Sequence, residues 1–172
     1  MSIVVRSVSG ADVASLESAF DLRGYFAKRR EAVLEGHCVL LAAWSGSRPV
    51  AHGYLWDGAE PESQQHLSAI DVVRRYLAGV PLIQSLYVAP DHRRCGIGRA
   101  MVVALEREAR ERGHASVALG VGPDNHGAGE LYRGMGYRRW DHGLVEYTYY
   151  GMSEDGERQR FTETSVLMQK VL

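Results

Sequence analysis

The sequence is poor in cysteine and has no long apolar run. Its two cysteines, Cys38 and Cys95, are too few for a disulfide framework, and their spacing suits no metal site. We expect both to be reduced thiols, with Cys38 buried in a strand. The longest apolar stretches suit short strands or helix faces, so no membrane span is predicted. The start, "MSIVVRSVSG", lacks the order of a secretory signal, which makes a cytoplasmic location the default expectation.

An excess of charge of either sign is also absent. The formal net charge is −1, so the sequence does not indicate a general nucleic-acid binder, and any attraction to anions must be local. A chain of 172 residues is long enough for one well-packed domain and short for two. The hydrophobic share of 45% is typical of a globular protein. We therefore expect a single domain over residues 1–172 that binds neither nucleic acid nor membrane.

The order of apolar patterns predicts an α/β domain on a mixed sheet. A first strand, two helices and a hairpin around "SGSRP" are followed by strand, helix, strand and helix, and then by two strands near "LVEYTYY" and "TETSVLMQKVL". The run "LIQSLYV" is nearly all apolar, which predicts a central strand buried on both faces. Residues 59–81 are less regular and are interpreted as an insertion that carries a helix.

A basic, glycine-rich corner, "DHRRCGIGRA", joins the run "LIQSLYV" to a helical pattern. Free N–H groups at the start of such a helix, with the helix dipole, bind anions. Gly96 and Gly98 would let a phosphate approach the backbone, although a solvated turn is an equal alternative from these residues alone. The chain has no "GxxxxGK[ST]" P-loop, and "GIG" lacks the third glycine of a dinucleotide fingerprint. Three cations of the corner would add charge-assisted hydrogen bonds: Arg93, Arg94 and Arg99.

Two stretches together resemble one family. "LYVAPDHRRCGIGRAMVVAL" resembles the core motif of the GCN5-related N-acetyltransferase (GNAT) superfamily, and "NHGAGELYRGMGY" resembles its "NxxAxxLYxxxGF/Y" motif at the expected distance. The close resemblance covers residues 82–140, and the flanking elements agree only in order and length. It implies a single GNAT-like domain with a mostly antiparallel sheet of about seven strands flanked by helices. Two splayed parallel strands of that sheet would hold acetyl-coenzyme A.

The resemblance also implies which residues bind acetyl-coenzyme A. The pantetheine arm would pair like an added strand with the backbone of Leu86, Tyr87 and Val88, where an N–H would polarise the thioester carbonyl. Asn125 would contact the same arm, although it would equally serve as a helix N-cap. The thiol of Cys95 has no expected chemical role, because the family transfers acetyl directly. The residues implied around the pyrophosphate are Arg93, Arg94, Cys95, Gly96, Ile97, Gly98 and Arg99.

The resemblance implies a general acid but leaves the base open. Tyr132 aligns with the tyrosine that protonates the departing thiolate, although its helical spacing also suits core packing. The two positions where relatives carry a catalytic glutamate offer no carboxylate: the first stretch has Gln84 and Ser85, and the second position is Gly120. Glu146 is the leading candidate base, ahead of two others, and for each a structural role is the alternative. Those two are His52 and Asp141.

The resemblance implies an N-acetyltransferase that moves acetyl from acetyl-coenzyme A to a primary amine of a small molecule. The alternatives are a protein or peptide amine as acceptor, and a non-catalytic module that senses acyl-coenzyme A. Aromatic residues near the expected acceptor cleft would either line a pocket that attracts a cation or pack in the core. They are Trp56, Trp140, Tyr147, Tyr149 and Tyr150. The sequence leaves the acceptor and the assembly state open, a homodimer included.

Overall fold

The chain forms one sheet covered by helices on both faces. The computed structural model describes residues 2–57, 77, 79–152 and 158–172, and for 147–152 and 158–160 it describes the backbone alone. The strands within these ranges are β1 Ile3–Ser7, β2 Cys38–Ser45, β3 Arg48–Trp56, β4 Leu82–Val88, β5 Ser116–Val121, β6 Arg138–Met152 and β7 Arg158–Val171. The helices are α1 Val13–Phe20, α2 Tyr25–Leu34, α3 Ile97–Glu111 and α4 His126–Gly134.

The sheet is antiparallel except at one pair of strands. The strand order is β1-β2-β3-β4-β5-β7-β6, and β4 and β5 are the parallel neighbours. The strand β7 therefore follows β6 in the chain but lies between β5 and β6. This arrangement confirms the predicted fold class, a mostly antiparallel seven-stranded sheet flanked by helices.

Two apolar layers cover the two faces of the sheet. One layer joins the buried side of α3 to alternate residues of the strands, and the helix contributes Met101, Val102 and Leu105. The other layer packs α1 and α2 on the opposite face, through residues such as Leu16 and Phe26. In α3 the buried residues recur at helical spacing, so the amphipathic pattern fixes how the helix lies. One charged residue, Glu106, is also buried, and it pairs with Lys170 of β7. The layer of α3 also forms one side of the site described below.

The two cysteines lie where the sequence predicted. Cys38 is fully buried in β2, and Cys95 is exposed just before α3; both are free thiols. None of the helices that the structure describes is long and apolar enough to cross a membrane.

The prediction that β4 is buried on both faces is wrong. Only Leu82 and Ile83 are buried, and the rest of the strand is half-buried or, at Tyr87, exposed. The physical reason is the parallel pairing, which is limited to Leu82 with Ala118 and Ile83 with Leu119. Beyond Ile83 the two strands diverge, and β4 loses its neighbour on that side.

The strand β6 is longer than the sequence predicted. It begins at Arg138 rather than near Leu144, and its pairing with β7 is irregular between Arg139 and Leu144. The added segment reads "RRWDHG", whose polar residues give no alternating apolar signal, and Gly143 there has a left-handed φ of 68°. Arg138 and Arg139 pair in register with β7, and this pairing begins the strand in spite of the local sequence. The expected helix of the insertion at 59–81 lies largely outside the described residues. Of the polar turn expected at "SEDGERQ", residues 153–157 also lie outside them, and the last two, 158–159, belong to β7 because they pair with β6.

Candidate active site

A slot opens where β4 and β5 diverge. It has a volume of about 200 Å³ and passes between the two apolar layers. Because no strand pairs with β4 beyond Ile83 on this side, the backbone groups along that edge are open to a ligand. The lining residues are Leu82, Ile83, Gln84, Ser85, Leu86, Gly120, Val121, Gly122, Asn125, Ala128, Tyr132, Val145, Ser165 and Leu167.

A bulge in β4 shapes the wall of the slot. The residues Ser85 and Leu86 together lie opposite Gly53 of β3, so β4 carries one extra residue, and Ser85 has a left-handed φ of 53°. Gly53 fits closely here, since a Cβ at that position would lie 3.1 Å from Cδ1 of Leu86. The bulge therefore turns β4 beside the slot.

The glycine corner presents an uncapped helix start. Gly96 precedes α3 with a left-handed φ of 79°, Arg94 has φ 60°, and no side chain caps the first turn of the helix. The free N–H groups of that turn, with the helix dipole, suit an anion. A Cβ at Gly98 would make only ordinary contacts with Leu131 and Val88, at 3.6 and 3.9 Å. The corner thus has the backbone geometry of a phosphate site.

The three arginines of the corner differ in what they contact. Arg93 donates a hydrogen bond from Nε to the carbonyl oxygen of Val88 at 2.9 Å, and its guanidinium carbon lies 5.6 Å from the ring centre of Tyr87. Arg93 therefore ties the corner to the end of β4. Arg94 and Arg99 are exposed and form no ion pair within the described chain, which leaves both guanidinium groups available to an anion.

The helix α4 supplies two polar groups to the slot. Asn125 caps the helix, because its Oδ1 accepts a hydrogen bond from the Ala128 N–H at 3.2 Å, and this confirms the N-cap prediction. Tyr132 is 8% exposed and lines the same slot. Burial raises the pKa of the Tyr132 phenol, so the group keeps its proton at neutral pH. A phenol that holds its proton beside a slot can act as an acid.

Comparison with known proteins identifies the family. Residues 11–137 match the model of the acetyltransferase (GNAT) family. The chain belongs to this family. A mycothiol acetyltransferase from Pseudarthrobacter chlorophenolicus is 30% identical over 117 residues, which are 68% of this chain and 31% of that protein. The chain spans about a third of the length of the first curated relatives that it matches.

Solved structures agree with this GNAT assignment. A ribosomal-protein-alanine N-acetyltransferase from Brucella melitensis has a TM-score of 0.67 and 20% identity, over 98% of this chain and 99% of that one. YncA from Salmonella typhimurium, solved with its cofactor acetyl-coenzyme A, has a TM-score of 0.65 and 17% identity, over 100% and 95% of the two chains. At these identities the likeness shows the shared fold.

A hydroxyl pair reaches the GNAT slot from the opposite layer. Tyr25, the first residue of α2, donates a hydrogen bond from its phenol to Oγ of Ser85 at 3.3 Å, and Ser85 lines the slot. Sequence reasoning missed Tyr25. A single tyrosine at a helix start carries no local signal, because its neighbour lies 60 residues further along the chain and is brought close only by the fold.

The carboxylates considered as the base do not line the slot. Val145 is 1% exposed and faces it, and the next residue, Glu146, is exposed and points to the other side of β6. Asp141 is also exposed. A Cβ at Gly120 would lie 3.3 Å from Oγ of Ser165, so this family position has little room for a glutamate. Among the described lining residues there is no carboxylate and no imidazole.

His52, the other candidate base, is not among the residues that line the slot and is enclosed by aromatic rings. It is 4% exposed, and its ring centre lies 4.9 Å from that of Phe20 and 5.0 Å from that of Phe26. Burial, reinforced by the charge of Arg29, lowers the pKa of His52 to about 4. The imidazole is therefore neutral near pH 7, and it packs against Tyr87, its partner across the strands, at 5.7 Å.

Of the aromatic residues expected near the acceptor, the structure describes the side chains of Trp56 and Trp140. Trp56 is 2% exposed and stacks on Tyr54 at 6.2 Å, so it belongs to the core. Trp140 is half-buried and lies 4.8 Å from the ring of His142. The side chains of the three expected tyrosines on β6 lie outside the described part of the chain: Tyr147, Tyr149 and Tyr150.

Proposed function

We propose that this GNAT domain transfers an acetyl group from acetyl-coenzyme A to a primary amine of a small molecule. The observation that carries the proposal is the slot between β4 and β5, which has an anion-binding corner near one end and the phenol of Tyr132 in its wall. The corner adjoins α4, because Gly98 lies against Leu131, the neighbour of Tyr132.

The residues around the slot fit a coenzyme A molecule. The open edge of β4 at Leu86–Val88 supplies backbone groups to the pantetheine amides, and Asn125 supplies a side-chain amide on the facing wall. The uncapped start of α3, with Arg94 and Arg99, binds the pyrophosphate. Acetyl-coenzyme A, when bound, supplies an activated acetyl group as a thioester.

Tyr132 acts as the acid in this proposal. Its raised pKa keeps the proton on the phenol at neutral pH, and its place in the wall of the slot allows the proton to pass to the leaving sulfur. A free N–H of β4 near Leu86 donates to the thioester oxygen as negative charge develops there. Both groups are held by packing before substrate binds, so little reorganisation accompanies the reaction.

The base remains a prediction that rests on Glu146. The amine must lose a proton before it attacks, and the described lining of the slot has no group that accepts one. Glu146 lies one position along β6 from Val145, on the outer side of an edge strand. Its carboxylate would therefore receive the proton through water rather than from the amine directly.

A small acceptor is supported by the shape of the site and by one relative. The slot has a volume of only about 200 Å³, and Ser85 in its wall accepts a hydrogen bond from Tyr25 of α2. The relative with 30% identity is named for mycothiol rather than for a protein. A protein amine is the competing acceptor class.

Release of free thiol from acetyl-coenzyme A tests this function. We expect release with at least one amine in a panel that contains amino sugars, polyamines and amino acids, and less with peptides that have free N-termini or lysines. Preference for a peptide would move the acceptor to the protein class. Thermal stabilisation by coenzyme A without turnover on any amine or peptide would instead favour a sensor.

A further inference from the structure

A second cavity lies on the flank of α4 that faces away from the slot. It is an open groove of about 540 Å³ between α4 and the strands β6 and β7. The floor is apolar and includes Val121, Val166 and Met168, and the slot and the groove share the turn before α4. Of the residues of α4 that the GNAT proposal uses, Tyr132 lines the slot alone, and the cap Asn125 lies in the shared turn and lines both cavities.

Four basic residues converge on this groove. Arg133 and His126 come from α4, and Arg138 and Arg139 from the start of β6. All four are exposed, and none of the described lining residues is acidic. By contrast, a carboxylate pairs with each of four other arginines: Arg6, Arg107, Arg110 and Arg112. Two separate elements thus bring basic residues to one concavity, and no described lining residue is a counter-ion.

The guanidinium groups in the groove have no partner of their own. Within the described residues, Arg133, Arg138 and Arg139 neither form an ion pair nor donate a side-chain hydrogen bond. The guanidinium of Arg133 lies near Gly129, one turn earlier, where a Cβ would make only an ordinary contact at 3.8 Å. The planar donors of the three arginines are therefore available to an oxyanion.

We propose that this groove binds a small organic phosphate that carries two or more negative charges. Arginine matches phosphate through paired N–H donors, and three arginines suit a ligand with more than one charge. The apolar floor suits an organic body, and the volume is that of a small-molecule site. The basic residues of this site lie outside the described lining of the coenzyme A slot, and binding there does not depend on transfer activity.

Calorimetric titration with inorganic tripolyphosphate tests the groove. The titration is done at low ionic strength on protein saturated with coenzyme A, so that the corner before α3 is already occupied. We expect binding of one tripolyphosphate, weakened at least about tenfold in the double variant Arg133→Gln/Arg139→Gln. The control Arg23→Gln/Arg48→Gln removes the same charge from two exposed arginines outside both cavities and should bind like wild type.

Four results would overturn the proposal. They are no binding of tripolyphosphate, equal binding by the two double variants, release of bound coenzyme A by tripolyphosphate, and tighter binding of hexaglutamate than of tripolyphosphate. The affinity for coenzyme A separates this groove from the slot. Arg133→Gln/Arg139→Gln should bind coenzyme A like wild type, and a loss there would make the groove part of the coenzyme A site.

Discussion

Tyr132 packs its ring in the core and also lines the slot as a polar residue. Its ring belongs to the layer under α3, 5.9 Å from the ring of Tyr137, and its raised pKa follows from that burial. The core interpretation and the acid interpretation of this residue are therefore compatible. What distinguishes them is the effect of the hydroxyl alone.

Replacing Tyr132 by phenylalanine removes the proton and keeps the ring. We expect kcat to fall by about 10²-fold, the low end for general acid catalysis because a thiolate is a fair leaving group. KM for acetyl-coenzyme A and Tm should change little, since the lost interaction is made mainly in the transition state. Steady-state kinetics and calorimetry measure both. Tyr137→Phe, a hydroxyl loss outside the slot lining, is the control, and equal kcat losses in the two variants would contradict the acid role.

The position of Glu146 gives a pH test of the base. If its carboxylate accepts the proton through water, Glu146→Gln should lower kcat most near neutral pH and less at alkaline pH, where the free amine is abundant. A pH–rate profile of the variant and wild type measures this. A uniform loss across pH, or no loss, would assign Glu146 a structural or solvated role, with bulk water removing the proton.

His52 makes the stability of the fold depend on pH. Because its folded pKa of about 4 lies below the ordinary 6.5, the unfolded chain takes up the proton first as the pH falls. The contribution of His52 to the free energy of unfolding is therefore constant above about pH 6.5 and decreases from there toward pH 4. Between pH 7.5 and pH 5.0 the loss is about 2 kcal/mol. Urea unfolding at the two pH values measures the change.

His52→Gln should reduce this loss between the two pH values. His37→Gln, a change at a half-buried histidine in the turn before β2, is the matched control and should retain the wild-type loss. A wild-type pH dependence in His52→Gln would mean that another group takes up the proton.

At the scale of elements, two substitutions at Gly98 in the glycine corner distinguish the effect of a side chain from the effect of a negative charge. A Cβ at Gly98 meets only ordinary contacts, and alanine is favoured over glycine within a helix by about 1 kcal/mol. Gly98→Ala should therefore stabilise the fold slightly. Gly98→Asp adds a negative charge at the corner proposed to bind the pyrophosphate, and it should weaken coenzyme A binding at least about tenfold relative to the alanine variant. Calorimetric titration of both variants, with circular dichroism to check the fold, measures this; equal affinities would remove the phosphate from the corner.

Elements with a regular apolar period could be predicted from the sequence, and features that depend on neighbouring strands could not. The helix α3 could be predicted because its apolar residues recur at helical spacing and its start lies in a motif. The start of β6 could not, because "RRWDHG" has no alternating apolar signal and the strand begins where Arg138 and Arg139 pair with β7. The divergence of β4 from β5 is invisible in "LIQSLYV", where an apolar run looks the same with or without a neighbouring strand. Resemblance to a family, rather than periodicity, supplied that feature.

The predictability of the site followed the same division. Asn125, Gly98 and Tyr132 lie in two short motifs, so the sequence located them. Tyr25 reaches Ser85 from the other face of the sheet, and Gly53 lies opposite the bulge of the neighbouring strand β4. Contacts of this kind depend on how the whole chain folds.

At the scale of the whole molecule, binding in the slot should be visible as stability. The two walls of the slot belong to different layers, and a ligand between them binds only the folded chain. At a concentration 100 times its Kd, coenzyme A should add about 2.7 kcal/mol, which corresponds to a rise in Tm of about 5–10 °C for a domain of this size. Scanning calorimetry measures the shift.

The variants described above calibrate that shift. Arg48→Gln, outside both cavities, should give the wild-type rise at the same coenzyme A concentration, and Gly98→Asp a smaller one. An unchanged Tm in wild type would mean that the slot does not bind coenzyme A.

The position of β7 has a consequence for biosynthesis. Since β7 pairs with β5 on one side and β6 on the other, a ribosome has translated β5 and β6 before the strand that joins them exists. Until then the nascent chain carries two unpaired strand edges, which invite association with other chains. Leu167, in the wall of the slot, also arrives with β7. The slot is thus among the last features to form, and a nascent chain arrested before β7 should need a chaperone and should not bind coenzyme A.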